Sequence, residues 1–150
     1  MDNTNKLTEE AFAIFDSGMN CAQAVIGAYA EQLDADKKLV LELACGFGAG
    51  MGRLQGTCGA VTGAFMAIGI ATCKTETDNV RRKEVSYAMI REFRNKFLSL
   101  NNALDCRTLL GVDLNTEEGH KAMTEGTLRA NVCKKCIADA ITITDELIRQ

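Results

Sequence analysis

Seven cysteines and a single histidine carry most of the reactive chemistry available to this chain. Four of the cysteines, Cys21, Cys58, Cys106 and Cys133, stand at or next to the first turn of a predicted helix, after a residue able to cap it: Asn20-Cys21, Thr57-Cys58, Asp105-Cys106 and Asn131-Val132-Cys133. A helix start presents unpaired N–H groups and partial positive charge, which favour a thiolate over a thiol and suit an anionic metal–sulfur centre. Cys136 lies one helical turn beyond Cys133, with Lys134 and Lys135 between them. Four thiolates are what a tetrahedral zinc site or a cysteinyl iron–sulfur cluster needs. Cys45 and Cys73 fall at or near predicted helix C-termini, where the dipole opposes a thiolate, and are expected to be packing residues. Cys58 and Cys73 would lie about 22 Å apart on a continuous helix, so one end alone can hold the site.

The spacings match neither a zinc ribbon nor a ferredoxin run. Convergence therefore depends on antiparallel helices bringing several helix starts to one end of a bundle. Glycines 46, 48, 50 and 52 fit no dinucleotide or P-loop pattern, and no strand precedes them. The sharper expectation is that Gly48, Gly50, Gly52 and Gly59 bring backbone amides close to the sulfur centre as cofactor-binding positions. Cys133 to Cys136 has the Cys-x-x-Cys spacing of dithiol oxidoreductases, but without a βαβ context a metal-chelating pair is the better reading. His120 follows Gly119 in a polar stretch and is expected at the surface; no acyl-transfer motif surrounds any cysteine.

The elements that must position these groups are all helical. Predicted helices run from about 8 to 17, from Asn20 with Gln23 in the capping-box position, from about 35 to 45, from near Cys58 to Cys73, from about 78 to 98, over short stretches at 105–110 and from Thr116, and from near Asn131 onward. No strand alternation of useful length occurs. The stretch 58–73 is apolar all round but too short to span a membrane, and reads as a core helix on which Gly59, Ala60, Gly63, Ala64, Ala67 and Gly69 admit close neighbours. The fold class expected is an all-α, single-domain bundle of about five long helices plus short ones, covering residues 1–150, with a glycine-rich loop before a buried central helix.

A chain of 150 residues, 47% apolar, can bury one proper core. Its net charge of −3 argues against a phosphate-tracking surface, so nucleic acid is not the expected partner. The first residues carry no basic-then-apolar export pattern, and the protein is expected in the cytoplasm, with no membrane association. In that reducing compartment cysteines serve as metal ligands or redox thiols more often than as structural disulfides.

The strings Asn20-Cys21-Ala22-Gln23-Ala24-Val25, Gly48-Ala49-Gly50-Met51-Gly52-Arg53 leading to Cys58-Gly59-Ala60-Val61-Thr62-Gly63, Cys106-Arg107-x-Leu109-Leu110-Gly111, and Cys133 resemble the C_GCAxxG_C_C family of redox-type bacterial proteins. The resemblance spans about 18 to 148. It implies that the family's four cysteines correspond to Cys21, Cys58, Cys106 and Cys133, with Cys136 an addition, and it implies redox activity with an inferred iron–sulfur or other metal group. Some relatives carry twin-arginine export signals, and none is read here.

The function expected is a redox protein in which Cys21, Cys58, Cys106 and Cys133, with Cys136 beside them, bind a metal centre. An iron–sulfur cluster serving electron transfer is favoured, the chain being an oxidoreductase or an electron carrier that works with an unidentified redox partner protein. Two alternatives stand beside it: a metal-free thiol–disulfide protein and a zinc-stabilised, non-catalytic interaction module. A homodimer is compatible with all three.

Overall fold

The computed structural model describes residues 2–150. Eight α-helices follow one another: α1 (Asn3–Asp16), α2 (Cys21–Tyr29), α3 (Lys37–Leu43), α4 (Gly59–Thr75), α5 (Asn79–Asn101), α6 (Cys106–Leu110), α7 (Glu117–Glu125) and α8 (Lys134–Arg149). Between α3 and α4 lie a 3-10 turn, Cys45–Phe47, and a tight turn, Gly48–Met51; a π-helical turn, Arg129–Cys133, runs directly into α8. The all-α expectation holds. Among the described residues the only β pairing is an isolated antiparallel bridge between Thr57 and Asp105, and no helix is long and apolar enough to cross a membrane.

Local chemistry sets most helix boundaries. The Asn20 side chain accepts from the Gln23 amide while Gln23 returns a bond to the Asn20 amide, a complete capping box at the start of α2. Asp36, Asp78, Asp105 and Thr116 cap α3, α5, α6 and α7 by the one-way bond alone, each side chain accepting from the backbone amide three residues on. Helix α1 begins five residues before the expected Thr8, because Asp2 caps it through the Asn5 amide at 2.9 Å. Its first turn is also tied down: Asn3 and Thr4 donate to the buried Asp145 carboxylate of α8, which pairs with Arg149 at 2.8 Å.

Helices α2 and α4 form the centre of the core, with α1, α5 and α8 around them. Ala22, Val25 and Ile26 of α2 and Ala60, Val61, Ala64, Ala67 and Ile68 of α4 are nearly inaccessible to solvent. The two helices approach closely because α4 carries glycine where they cross: a Cβ at Gly63 would stand 2.8 Å from the Ala22 carbonyl oxygen and 3.0 Å from the Val25 Cβ. Gly69, expected to act similarly, faces open space. Phe65 of α4 meets Phe93 of α5 edge-on at 5.5 Å, and Phe93 stacks on Phe97 at 5.8 Å, which seats α5 by its one apolar stripe and leaves its arginines and lysines at the surface.

The crossing gives a direct test. Gly63→Val inserts two methyl groups and a Cβ against backbone, and overpacking of this kind costs about 1–3 kcal/mol. Urea unfolding should show a midpoint lowered accordingly, while Gly69→Ala should leave it unchanged or raised.

Candidate thiol centre

The α2–α4 crossing also fixes the sulfurs. A Cβ on Gly59, the first residue of α4, would lie 3.0 Å from the Ala22 amide nitrogen and 3.2 Å from the Cys21 Cβ, so the start of α4 is pressed onto the start of α2. Cys58 therefore stands beside Cys21. A backbone clip brings the third sulfur: the Cys58 amide donates to the Leu104 carbonyl at 2.8 Å and the Cys106 amide to the Gly56 carbonyl at 2.7 Å, on either side of the Thr57–Asp105 bridge. The π turn and the first turn of α8 deliver Cys133 and Cys136 from the opposite side.

Gln55 holds the clip in place. The residue is 6% exposed, and its side chain donates to the Val112 carbonyl at 2.9 Å and accepts from the Leu114 amide at 2.8 Å, so one buried amide ties the segment before Cys58 to the chain after α6. The glycine-rich segment reaches Gln55 through a left-handed run: φ is positive at Ala49, Gly50, Met51, Gly52 and Arg53, and again at Gln55. Gly50 is obligatory there for a second reason, since a Cβ on it would come within 2.6 Å of the Gln55 Cα and the Gly56 nitrogen. Gly48 packs against Asn20, whose side chain donates to the Cys45 carbonyl at 2.9 Å and so fastens this segment to the cap of α2.

Cys21, Cys58, Cys106, Cys133 and Cys136 all line one small cavity of about 20 Å³, closed by Ala49, Gly50, Gly59 and apolar side chains of α6 and the π turn. That volume is near the size of one water molecule. Gly50 and Gly59 thus border the sulfurs, whereas Gly48 and Gly52 line a larger cleft of about 430 Å³ outside them. Cys21, Cys106 and Cys133 form the wall between the two spaces, and Cys58 and Cys136 border only the inner one. All seven cysteines are free.

The thiols pair. Cys21 neighbours Cys133 and Cys136 neighbours Cys58, and the sulfur–sulfur interaction within each pair raises Cys21 and Cys136 and lowers Cys133 and Cys58 relative to an ordinary thiol. Burial raises Cys21 and Cys136 further. At Cys58 the Ala60 and Val61 amides at the start of α4 add to the lowering, although the sulfur makes no cap hydrogen bond; at Cys133 the nearby Arg129 guanidinium adds to it. Cys106 has no such partner, and burial together with the charges of Cys58 and Cys133 pushes it up to about 12, against a small opposing contribution from Gln55.

Several sequence expectations change here. Neighbouring sulfurs and burial raise Cys21 and Cys106 in spite of their helix starts, and at Cys58 the helix-start amides only add to a lowering whose first cause is Cys136. Cys133 is not at a capped helix start: the helical segment is already under way at Arg129, and Asn131 sits inside the π turn rather than capping α8. Cys45 and Cys73 stay outside the sulfur cavity as expected, but both are exposed rather than packed, Cys45 opening the 3-10 turn and Cys73 near the end of α4. His120 is exposed, as expected, and borders the outer cleft. Gln55 and Arg129 went unread in the sequence. No motif marks either, and Gln55 owes its place to long-range hydrogen bonds.

The donor set suits a soft metal in kind and number, since the cavity lining offers thiol sulfur and no carboxylate. In the paired arrangement, however, no three His, Cys, Asp or Glu side chains among the described residues are spaced to hold a metal ion.

The chain belongs to the family described as "Putative redox-active protein (C_GCAxxG_C_C)", whose model matches residues 19–147. No curated protein and no solved structure matches the chain.

Two outcomes test the site. In reduced, metal-free protein, alkylation by iodoacetamide followed by peptide mapping should label Cys133 before Cys106: the nucleophile is the thiolate, Cys133 is held below the ordinary thiol value and borders the cleft, and Cys106 ionises only near pH 12. Cys106 should stay slow throughout the neutral and mildly alkaline range and accelerate only as the pH approaches about 12. Gln55→Ala orphans the Val112 carbonyl and the Leu114 amide and should lower unfolding free energy by about 2 kcal/mol or more, read from denaturant midpoints.

Proposed function

We propose that the five-thiol pole is a redox metal centre, with an iron–sulfur cluster as the group held, serving electron transfer to and from a partner protein in the cytoplasm. One observation carries the reading: four separated segments place five thiols around a single cavity, whereas a simple dithiol needs only two. Cys21, Cys58, Cys106 and Cys133 would hold the group, with Cys136 as the fifth sulfur beside Cys58. Such a group would supply one-electron transfer. The protein's own part follows from its geometry. The two lowered thiols, Cys58 and Cys133, give up protons first; as thiolates they draw more strongly on the protons of their neighbours Cys136 and Cys21, and a bound metal would take the place of those protons as it does at any thiolate site. The Ala60 and Val61 amides and Arg129 offset part of the resulting negative charge.

The pairing itself favours a second reading, in which the cysteines cycle through disulfides. Oxidation of Cys21 with Cys133, or of Cys58 with Cys136, would form one S–S bond and release two protons and two electrons to an external oxidant. A thiolate next to a protonated thiol is the arrangement from which such exchange starts.

Protein purified without oxygen distinguishes the two. The metal reading expects visible absorbance, with iron and acid-labile sulfide in the elemental analysis, lost in Cys58→Ser and retained in Cys73→Ser. Colourless protein without iron, whose free-thiol count falls by two or four on mild oxidation, would replace it with the disulfide reading. Zinc without redox activity would overturn both.

A further inference from the structure

The cleft outside the sulfurs is built unlike the rest of the surface. At about 430 Å³ it is within the range of small-molecule sites, and its walls combine Phe15, Met19, Leu114 and Met123 with three basic side chains, Arg53, His120 and Arg129. The chain has more acidic than basic residues, 20 against 17, yet no aspartate or glutamate lines this cleft. Arg129 is held in position before any ligand arrives: its guanidinium stacks over the Phe15 ring at 3.9 Å and one nitrogen donates to the Phe15 carbonyl at 3.1 Å, which leaves its other N–H donors free of that bond. Arg53 makes no ion pair among the described residues, and it is carried on the left-handed run beside Gly52. The floor of the cleft is the sulfur wall of Cys21, Cys106 and Cys133.

We propose that this cleft binds a small organic acid with a flat apolar body, its carboxylate facing Arg53 and Arg129 and its body lying on Met123 and Leu114 against the three outer sulfurs. Arginine presents paired donors matched to a carboxylate, and a pre-positioned guanidinium loses little freedom on binding. Methionine adapts to bodies of different shape. The inference goes beyond the redox reading, since it holds whether the sulfurs carry metal or exchange disulfides.

The probe pair is 2-naphthoate and its uncharged isostere 2-naphthamide, each titrated calorimetrically into the protein as purified. The acid should bind one per chain and at least about tenfold more tightly than the amide, the difference expected of a charge-assisted contact. Arg53→Gln and Arg129→Gln should each weaken the acid about fivefold or more and leave the amide within about twofold, while Lys38→Gln, on α3, should change neither. Arg53 is exposed, so its replacement keeps the test valid should loss of the Arg129 stack disturb folding. Equal affinity for acid and amide, absence of binding, or insensitivity to Arg53→Gln would overturn the proposal. Visible absorbance and iron content are read on the same samples: iron-free protein that still prefers the acid sinks only the metal reading, and coloured protein that does not prefer it sinks only this one.

Discussion

The close approach of α2 and α4 is the constraint from which the rest of the molecule follows. Where Gly59 and Gly63 meet Ala22 there is no room for a side chain, and the helices touch nearly backbone to backbone. Inward from that contact the apolar residues of both helices build the core. At its outer end the same contact sets the Cys58 segment against Cys21. A single crossing thus determines both stability and the placement of two sulfurs 37 positions apart in the chain. Every later device, the clip at Thr57 and Asp105, the buried amide of Gln55 and the π turn, adds sulfurs to a position already set.

The electrostatics of the site come from crowding more than from helix dipoles. One carboxylate or thiolate at a helix start gains modestly from the local amides, but five sulfurs sharing one small buried cavity cannot all ionise. The conflict drives the neighbours apart in acidity: Cys133 and Cys58 are lowered, Cys21 and Cys136 are raised, and Cys106 is pushed up to about 12. This is a poised arrangement, in which loss of a proton from one member changes the affinity of its neighbours.

Much of this was legible in the sequence, and the remainder has physical reasons. Capping residues and 3.6-residue periodicity were sufficient for α2, α5 and α7, and the small residues of α4 announced a close crossing. The start of α1 was missed because Asp145, which anchors it, lies at the far end of the chain. The convergence of Cys21, Cys58, Cys106, Cys133 and Cys136 followed from helix starts collecting at one pole, although for Cys133 the premise was wrong, since it lies within a π turn that runs on into α8 without a cap. Thiol ionisation could not be read from helix position, since it depends on which sulfurs face each other. Gln55 and Arg129 escaped for the same reason: each acts through partners more than fifty residues away.

The left-handed run through Ala49 and Arg53 has a further consequence. Non-glycine residues in that region are each disfavoured by roughly 1–2 kcal/mol, and Ala49, Met51, Arg53 and Gln55 all adopt it, a sum comparable to a sizeable part of the net stability of an ordinary domain. The glycine-rich edge is therefore backbone held in place against its own preference, and the bonds of Gln55 to Val112 and Leu114 and of Asn20 to Cys45 are what offset that local cost beside the sulfur pole.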